Sequence, residues 1–261
     1  MKKKKLPFIS IIMNCHNGEK YLKNSIKSVL NQSYKFWELI FFDNQSKDKS
    51  KKIVLSFKDK RIKYFSSKKF NSLYEARNLA ISKTKGEYVC FLDVDDWWTK
   101  TKLAKQVEII KTNENIKFIY SNCYIFDQTS KKKKLHSIDK LPSGNITQNL
   151  LDDYKIGIVT VMINKKLLKK RKFNPKYNII GDFDLFVNLS IKENFFCIQQ
   201  PLAYYRLHKS NFSKNIKIYS DELTYWISSN SRFLKKKNYS LNKIDFYNKK
   251  LKIKKFFYLG P

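Results

Sequence analysis

The chain has 261 residues, 42% hydrophobic and 15% aromatic, enough for one sizeable packed domain. Its 54 Lys and Arg against 22 Asp and Glu give a formal net charge of +32. No apolar run approaches the roughly 20 residues of a membrane span, and the four cysteines form neither a CxxC nor a Cys/His metal spacing.

The start, MKKKKLPFISIIMNCHNG, has the basic residues and short apolar run of a secretory leader. Polar Asn14, His16 and Asn17 end that run without a small-residue cleavage site. FISIIM (8–13) therefore reads as a first buried strand. EKYLKNSIKSVLNQ (19–32) places Leu22, Ile26, Val29 and Leu30 at helix spacing. ELIFFD (38–43) reads as a second strand, 48–57 as a helix, RIKYFS (61–66) as a third strand and SLYEARNLAISKT (72–84) as a helix. GEYVCFLD (86–93) is the fourth strand, with a helix near 100–112. This β-α-β order implies a parallel sheet with helices on its faces.

The second half is less regular. KFIYSNCYIFD (117–127) and GIVTVMIN (157–164) read as strands, and KKKK (131–134) as a turn or exposed loop. GDFDLFVNLSIKE (181–193) reads as an acid-led amphipathic helix, and FFCIQQPLAYYRLH (195–208) as a strand. Beyond about residue 214 the chain turns basic and aromatic. No internal repeat is visible. Apolar settings around three of the cysteines suit buried thiols in a reducing cytoplasm.

Ligands of such sheets bind beyond the carboxyl ends of the strands. Three polar clusters fall there: Asn14–Asn17, Asp43–Ser46 and Asp93–Asp96. In CFLDVDDWW (90–98), three carboxylates crowd into four positions. Such acids repel one another unless a positive charge neutralises them. Mg²⁺ or Mn²⁺ accepts oxygen ligands and bridges to phosphate. If the strand stays extended through DVD, Asp93 and Asp95 point the same way, and Asp96 points elsewhere or caps the next helix. An acidic turn before a helix is the plainer reading of the same residues.

In their order along the chain, these motifs resemble the family 2 glycosyltransferases over roughly residues 7–212. The match rests on ISIIMNCHNGEKYLKNSIKSVLNQSY, WELIFFDNQSKDKS, EARNLAISKTKGEYVCFLDVDDWW, GDFDL and YRLHKSNFS. The resemblance implies a GT-A fold: α/β, a Rossmann-like mixed, mostly parallel sheet flanked by helices. It would occupy residues 1–213, with a basic, aromatic helical extension over 214–261. It further implies an enzyme that moves a sugar, with inversion, from a nucleotide-diphosphate sugar (a UDP-sugar in the first instance) to an acceptor hydroxyl. Asp43 would accept a hydrogen bond from the base, and Asn14 and Asn17 would line the base and ribose pocket. Arg77 would lie near the diphosphate or shape that pocket. Asp93 would face the ribose or a water on the metal, and Asp95 would bind Mg²⁺ or Mn²⁺. His208 would approach the metal or diphosphate, and Asp182 would be the general base. The acceptor implied is a surface polysaccharide or lipid-linked oligosaccharide at the inner face of a bacterial membrane. The extension then suits a peripheral contact with anionic lipid in an otherwise cytoplasmic protein.

Each residue has a competing structural reading. Asp43 fits an Asx-turn with Ser46 or Lys47. Arg77 fits an ion pair with Glu75 or another acid. Asp182 fits a helix cap, which would leave Asp184 as the base. His208 fits a surface site, Trp97 and Trp98, which could stack on a sugar, fit the core, and Asn14 and Asn17 fit loop stabilisation. Two departures stand out: Gly181 where many relatives carry Glu, and DNQS in the Asp43 loop. A catalytically silent sugar-nucleotide or polysaccharide-binding domain is the alternative. Nucleic-acid binding is not expected, because the lysines spread along the whole chain and no recognition module is legible. A nucleotidyltransferase would want a Gly-rich loop, and the chain has only six glycines.

Overall fold

The computed structural model describes residues 6–113 and 115–259. The basic start at 1–5, on which the leader-like reading rests, lies outside the described residues, as do the last two residues of the extension. The first half follows the expected order: β1 (Ile9–Cys15), α1 (Glu19–Leu30), β2 (Trp37–Asp43), α2 (Ser50–Ser56), β3 (Ile62–Ser66), α3 (Leu73–Ser82) and β4 (Tyr88–Phe91). A two-residue β5 (Trp97–Trp98) and α4 (Lys102–Thr112) follow. Then come β6 (Phe118–Asp127), β7 (Lys133–Leu135), α5 (Thr147–Asp152), β8 (Met162–Asn164), α6 (Lys165–Lys170), α7 (Gly181–Ser190) and β9 (Phe195–Leu207). Two helices close the chain, α8 (Ile216–Lys236) and α9 (Asn242–Leu259).

The strands form one mixed sheet in the order β3-β2-β1-β4-β8-β6-β9-β5, with β7 paired to β6. The pairings among β1 to β4 are parallel, so the carboxyl ends of those strands open on one rim. Alternation along β1 and β2 fills both faces. Ile12, Ile40 and Phe42 enter one core, while Ile11, Met13, Leu39 and Phe41 enter the other. Burying each such side chain stabilises the fold by about 1.5–3 kcal/mol, which is why these strands read as continuous apolar runs.

Three expectations change. GIVTVMIN is not one strand: Ile158–Thr160 form a 3₁₀ turn, and only Met162–Asn164 pair in the sheet. The turn brings the Val159 carbonyl to the Trp98 indole N–H (2.8 Å). The lysine run at 131–134 is only partly a turn, since Lys133 and Lys134 begin β7. The backbone also bends straight after β4 instead of staying extended through DVD. The Asp96 N–H donates to the Asp93 carbonyl (3.1 Å), closing a turn.

Residues after 214 pack into the same core as the sheet. Leu223, Trp226 and Leu234 of α8, and Ile244 and Leu251 of α9, join the cluster that holds Phe183 and Phe186. Glu222 accepts from the backbone N–H groups of Asn178, Ile179 and Ile180 at 2.6, 2.9 and 3.1 Å. These groups lie just ahead of α7, where helical N–H donors lack partners of their own.

Candidate active site

The loop after β1 is tied to the loop after β2. The Asn17 side-chain carbonyl accepts from the Lys47 N–H (2.8 Å), and the Asn17 N–H donates to Ser46 Oγ (3.0 Å). Asn17 sits at φ 55°, a left-handed conformation that asparagine tolerates better than most residues. Asp43 is buried at the end of β2. Its Oδ1 accepts from the Ser46 N–H (2.8 Å) and its Oδ2 from the Tyr64 hydroxyl (2.8 Å). The hydrogen bond of an Asx-turn is therefore present, and each oxygen keeps a lone pair free. Both amide atoms of Asn14 are buried without a hydrogen-bond partner among the described residues. That state is costly unless a polar group enters.

The acid turn abuts this loop. A Cβ on Gly18 would lie 2.9 Å from the Val94 side chain, so only glycine allows the approach. Ser25 Oγ holds the turn from α1 by donating to the carbonyls of Val94 and Asp96. The three acids of the turn have different partners. Asp93 forms an ion pair with buried Arg77 (2.8 Å); that pair is with Asp93 and not with Glu75. Asp95 Oδ2 lies 2.9 Å from His208 Nε2. Burial pushes the Asp95 carboxyl up and the Asp93 charge adds to this, while the His208 hydrogen bond works the other way. Asp96 is 1% exposed and accepts from the Arg206 backbone N–H (2.8 Å). It fastens the turn to β9 and does not cap α4, whose N-terminus has no side-chain cap.

Asp182 sits on the first turn of α7. Tyr74 reaches its Oδ1 (3.1 Å), and Tyr154 donates to its Oδ2 (3.0 Å). Burial pushes this carboxyl up, against the pull of Arg77, the Phe183 N–H and the two phenols. The residue flanking α7 as N-cap is Ile180, so Asp182 is no cap. Asp184 is buried and is engaged by the Trp226 indole (2.9 Å) and Asn188 (3.0 Å). Arg77 links the two acid groups. It is paired with Asp93, lies 5.2 Å from the Tyr74 ring centroid, and its charge acts on Asp182. Asp93, Arg77, Tyr74 and Asp182 thus form a contiguous chain, while Asn14, Asn17 and Asp43 form a second group joined to it through Gly18 and Val94.

One carboxylate, Asp95, and one imidazole, His208, are available to a divalent cation here. Asp95 and His208 already face each other within hydrogen-bond distance, with Asp93 close enough to repel Asp95. No cluster of three His, Cys, Asp or Glu is assembled among the described residues. One carboxylate can suffice for an ion such as Mg²⁺, which would take most of its remaining oxygens from water and substrate phosphate, with the imidazole as a further ligand for Mn²⁺.

Several organising residues escaped the sequence reading. Arg206 donates to the Asp95 carbonyl (2.6 Å) and to Gln128 (2.5 Å), and its guanidinium lies 4.4 Å from the Tyr21 and Trp97 ring centroids. A signal existed: Arg206 and His208 are two apart on a strand, hence on one face. Asn211 clamps the turn that follows, accepting from the His208 N–H and donating to the Arg206 carbonyl. Tyr74 and Tyr154 carried no such signal. Trp98 is buried and Trp97 stacks on Tyr204 at 4.7 Å, so both are packing residues.

Comparison with known proteins identifies the family and the fold. The model of the family "Glycosyl transferase family 2" matches residues 10–186. The chain is 35% identical over 217 residues to the Escherichia coli UDP-Glc:alpha-D-GlcNAc-diphosphoundecaprenol beta-1,3-glucosyltransferase WfgD, covering 79% of this chain and 80% of that protein. Among solved structures it resembles S. aureus TarS 1-349 in complex with UDP-GlcNAc (TM-score 0.62, 15% identity, 84% of this chain). It also resembles the Pyrobaculum calidifontis mannosyltransferase PcManGT in complex with GDP-Man and Mn²⁺ (TM-score 0.65, 14% identity, 88% of this chain). The chain spans just under two thirds of those two structures, 66% and 65%. At such identities they speak for the fold, and they agree with the mixed α/β sheet of the GT-A type. With its strand-end acids in order and the family's model matched over most of its length, the chain belongs to glycosyl transferase family 2 and is a glycosyltransferase.

Proposed function

We propose that this enzyme is a metal-dependent, inverting transferase that moves a sugar from a UDP-sugar to an acceptor hydroxyl in surface-polysaccharide synthesis. The observation that carries the proposal is the Asp95–His208 pair, 2.9 Å apart and joined through Asp93, Arg77 and Tyr74 to Asp182. Asp43, Asn14 and Asn17 receive the base and ribose. The unpaired Asn14 amide gains a partner when the nucleotide binds. Asp95 and His208 would hold Mg²⁺ or Mn²⁺, with Asp93 toward the ribose and Arg77 keeping Asp93 in place. The cation supplies charge stabilisation for the leaving diphosphate. Asp182 takes the proton from the acceptor hydroxyl on the face opposite the leaving group, and a single displacement inverts the anomeric carbon.

The donor follows WfgD, whose name specifies UDP-Glc, and the cation follows PcManGT, described with Mn²⁺. WfgD's named acceptor is a lipid diphosphate, so a lipid-linked oligosaccharide is the acceptor class proposed here. A thermal-shift screen of nucleotide sugars with and without Mn²⁺, followed by donor-hydrolysis assays, tests the reading. A UDP-sugar response that requires metal is expected. Stabilisation by none of the sugars, with or without metal, would remove it.

We divide the chain into a transferase domain, 1–213, and a basic extension, 214–261, whose helices share the core of that domain and whose outer side rests on a membrane at its cytoplasmic face. No helix among the described residues is long and apolar enough to cross a membrane. Helix α9 instead presents a mixed face of lysines and large apolar residues to solvent. Phe246 and Ile253 are 59% and 58% exposed, and Lys249, Lys250, Lys252 and Lys254 surround them. Each lysine near an anionic bilayer contributes about 1 kcal/mol. Sedimentation with phosphatidylserine vesicles should bring the protein down at low salt and less at high salt. No binding at either salt discards the contact.

A further inference from the structure

The carboxylate of Asp182 is held from two sides, and the two holders differ. Tyr74 is 2% exposed and stacks on Phe173 with ring centroids 5.2 Å apart. Its ring lies against the first residue of α7: a Cβ on Gly181 would come within 2.5 Å of two ring atoms. Glycine at 181 is thus what admits the phenol to this place. The Tyr74 hydroxyl shares its proton between the Ile179 carbonyl (2.8 Å) and Asp182 Oδ1 (3.1 Å).

Tyr154 approaches from the chain just after α5. Its hydroxyl is committed to Asp182 Oδ2 (3.0 Å). Its ring meets Phe183 edge-on and borders a cavity of about 190 Å³ walled by Tyr219, Leu223, Ile244 and Tyr247. Packing holds Tyr74, whereas Tyr154 has open space beside it and is oriented by its hydrogen bond. The charged or titratable groups facing Asp182 are Arg77 and Tyr74 from α3, Tyr154, and Tyr219 from α8.

We propose that Tyr74 and Tyr154 are positioning residues for the base, one phenol fixing each oxygen of Asp182, with Gly181 as the gap that lets Tyr74 in. The assignment of Asp182 as the base rests on the function proposed above; the hydrogen bonds do not. A donor to a carboxylate stabilises its ionised form. Removing that donor therefore raises the carboxylate's proton affinity and moves its titration to higher pH.

The test is a ¹³C-carboxyl NMR titration of aspartate-labelled protein, with the Asp182 signal assigned by its loss in Asp182→Asn. Tyr154→Phe should raise the proton affinity of Asp182 about tenfold, the size of one hydrogen bond to a charged acceptor. Tyr74→Phe should raise it less, because that proton is shared. The acid limb of kcat should move up in pH by the same amount in Tyr154→Phe, with the donor KM unchanged. An Asp182 titration in Tyr154→Phe that overlays the parent protein overturns the proposal. Should Tyr74→Phe fail to fold, Tyr154→Phe decides alone. If the parent protein turns over no nucleotide sugar, the transferase reading fails while the titration still judges the hydrogen bonds.

Discussion

Asp43 and Asp182 are both carboxylates with two engaged oxygens, yet the two halves of the molecule hold them by opposite means. The partners of Asp43, the Ser46 N–H and the Tyr64 hydroxyl, lie 3 and 21 residues away. Those of Asp182, Tyr154 and Tyr74, lie 28 and 108 residues away. The parallel half builds its site from loops that follow directly on the strands supporting them. The carboxyl-terminal half builds its site from tertiary contacts, with Glu222 and Trp226 of α8 setting the entry and pitch of α7. The proposed nucleotide pocket thus rests on local geometry, and the proposed base on the whole assembled fold.

The largest expected effect falls on the carboxyl-terminal half. Asp182→Asn keeps the shape and removes the proposed base, so turnover should drop by about 10²–10⁴-fold. Donor affinity, measured by calorimetry, should stay within a fewfold of the parent. A loss under tenfold in turnover would mean that another group takes the proton.

The next prediction asks whether local partners can carry a buried charge in the amino-terminal half. Lys102 is fully buried at the start of α4, bonded to Gln106 (2.8 Å) with its Nζ 4.2 Å from the Trp98 ring centroid. Burial pushes its ammonium down from 10.5 to about 8. The unfolded chain therefore binds this proton at a pH where the folded chain does not. Stability should rise with pH between about 8 and 10.5 and be lowest, on this account, below that window. Lys102→Met should remove this pH dependence and raise stability at pH 7 by about 3 kcal/mol, the size of the shift at 1.36 kcal/mol per unit. Urea titrations at pH 7 and pH 9.5 check both points. A less stable Lys102→Met protein would show that the Gln106 and Trp98 contacts outweigh desolvation.

The same contrast explains what was legible in the sequence. β1 to β4 alternate apolar residues toward two cores, so their period, order and carboxyl-end clusters could be read directly. Asp93 and Asp95 stood out as acids crowded together in a lysine-rich chain, and Asp43 and Asp182 through the family resemblance. The bend after β4 was not legible, because an Asp-Val-Asp run continues a strand as readily as it turns. Nor was the role of Asp96, whose partner Arg206 is 110 residues on. The segment 157–164 looked like one strand because the residues of its 3₁₀ turn are as apolar as those of β8. Tyr74 and Tyr154 were two tyrosines among 16 until folding set them on either side of one carboxylate.

The proposed function depends most on a cation that Asp95 and His208 would hold for the donor's diphosphate. Calorimetric titration of the best UDP-sugar, with and without Mn²⁺, into the parent protein, Asp95→Ala and Asp182→Asn tests it most directly. Binding that needs Mn²⁺ in the parent, survives in Asp182→Asn and weakens at least tenfold in Asp95→Ala is the predicted result. Equal Mn²⁺-dependent affinity in Asp95→Ala and the parent would contradict it.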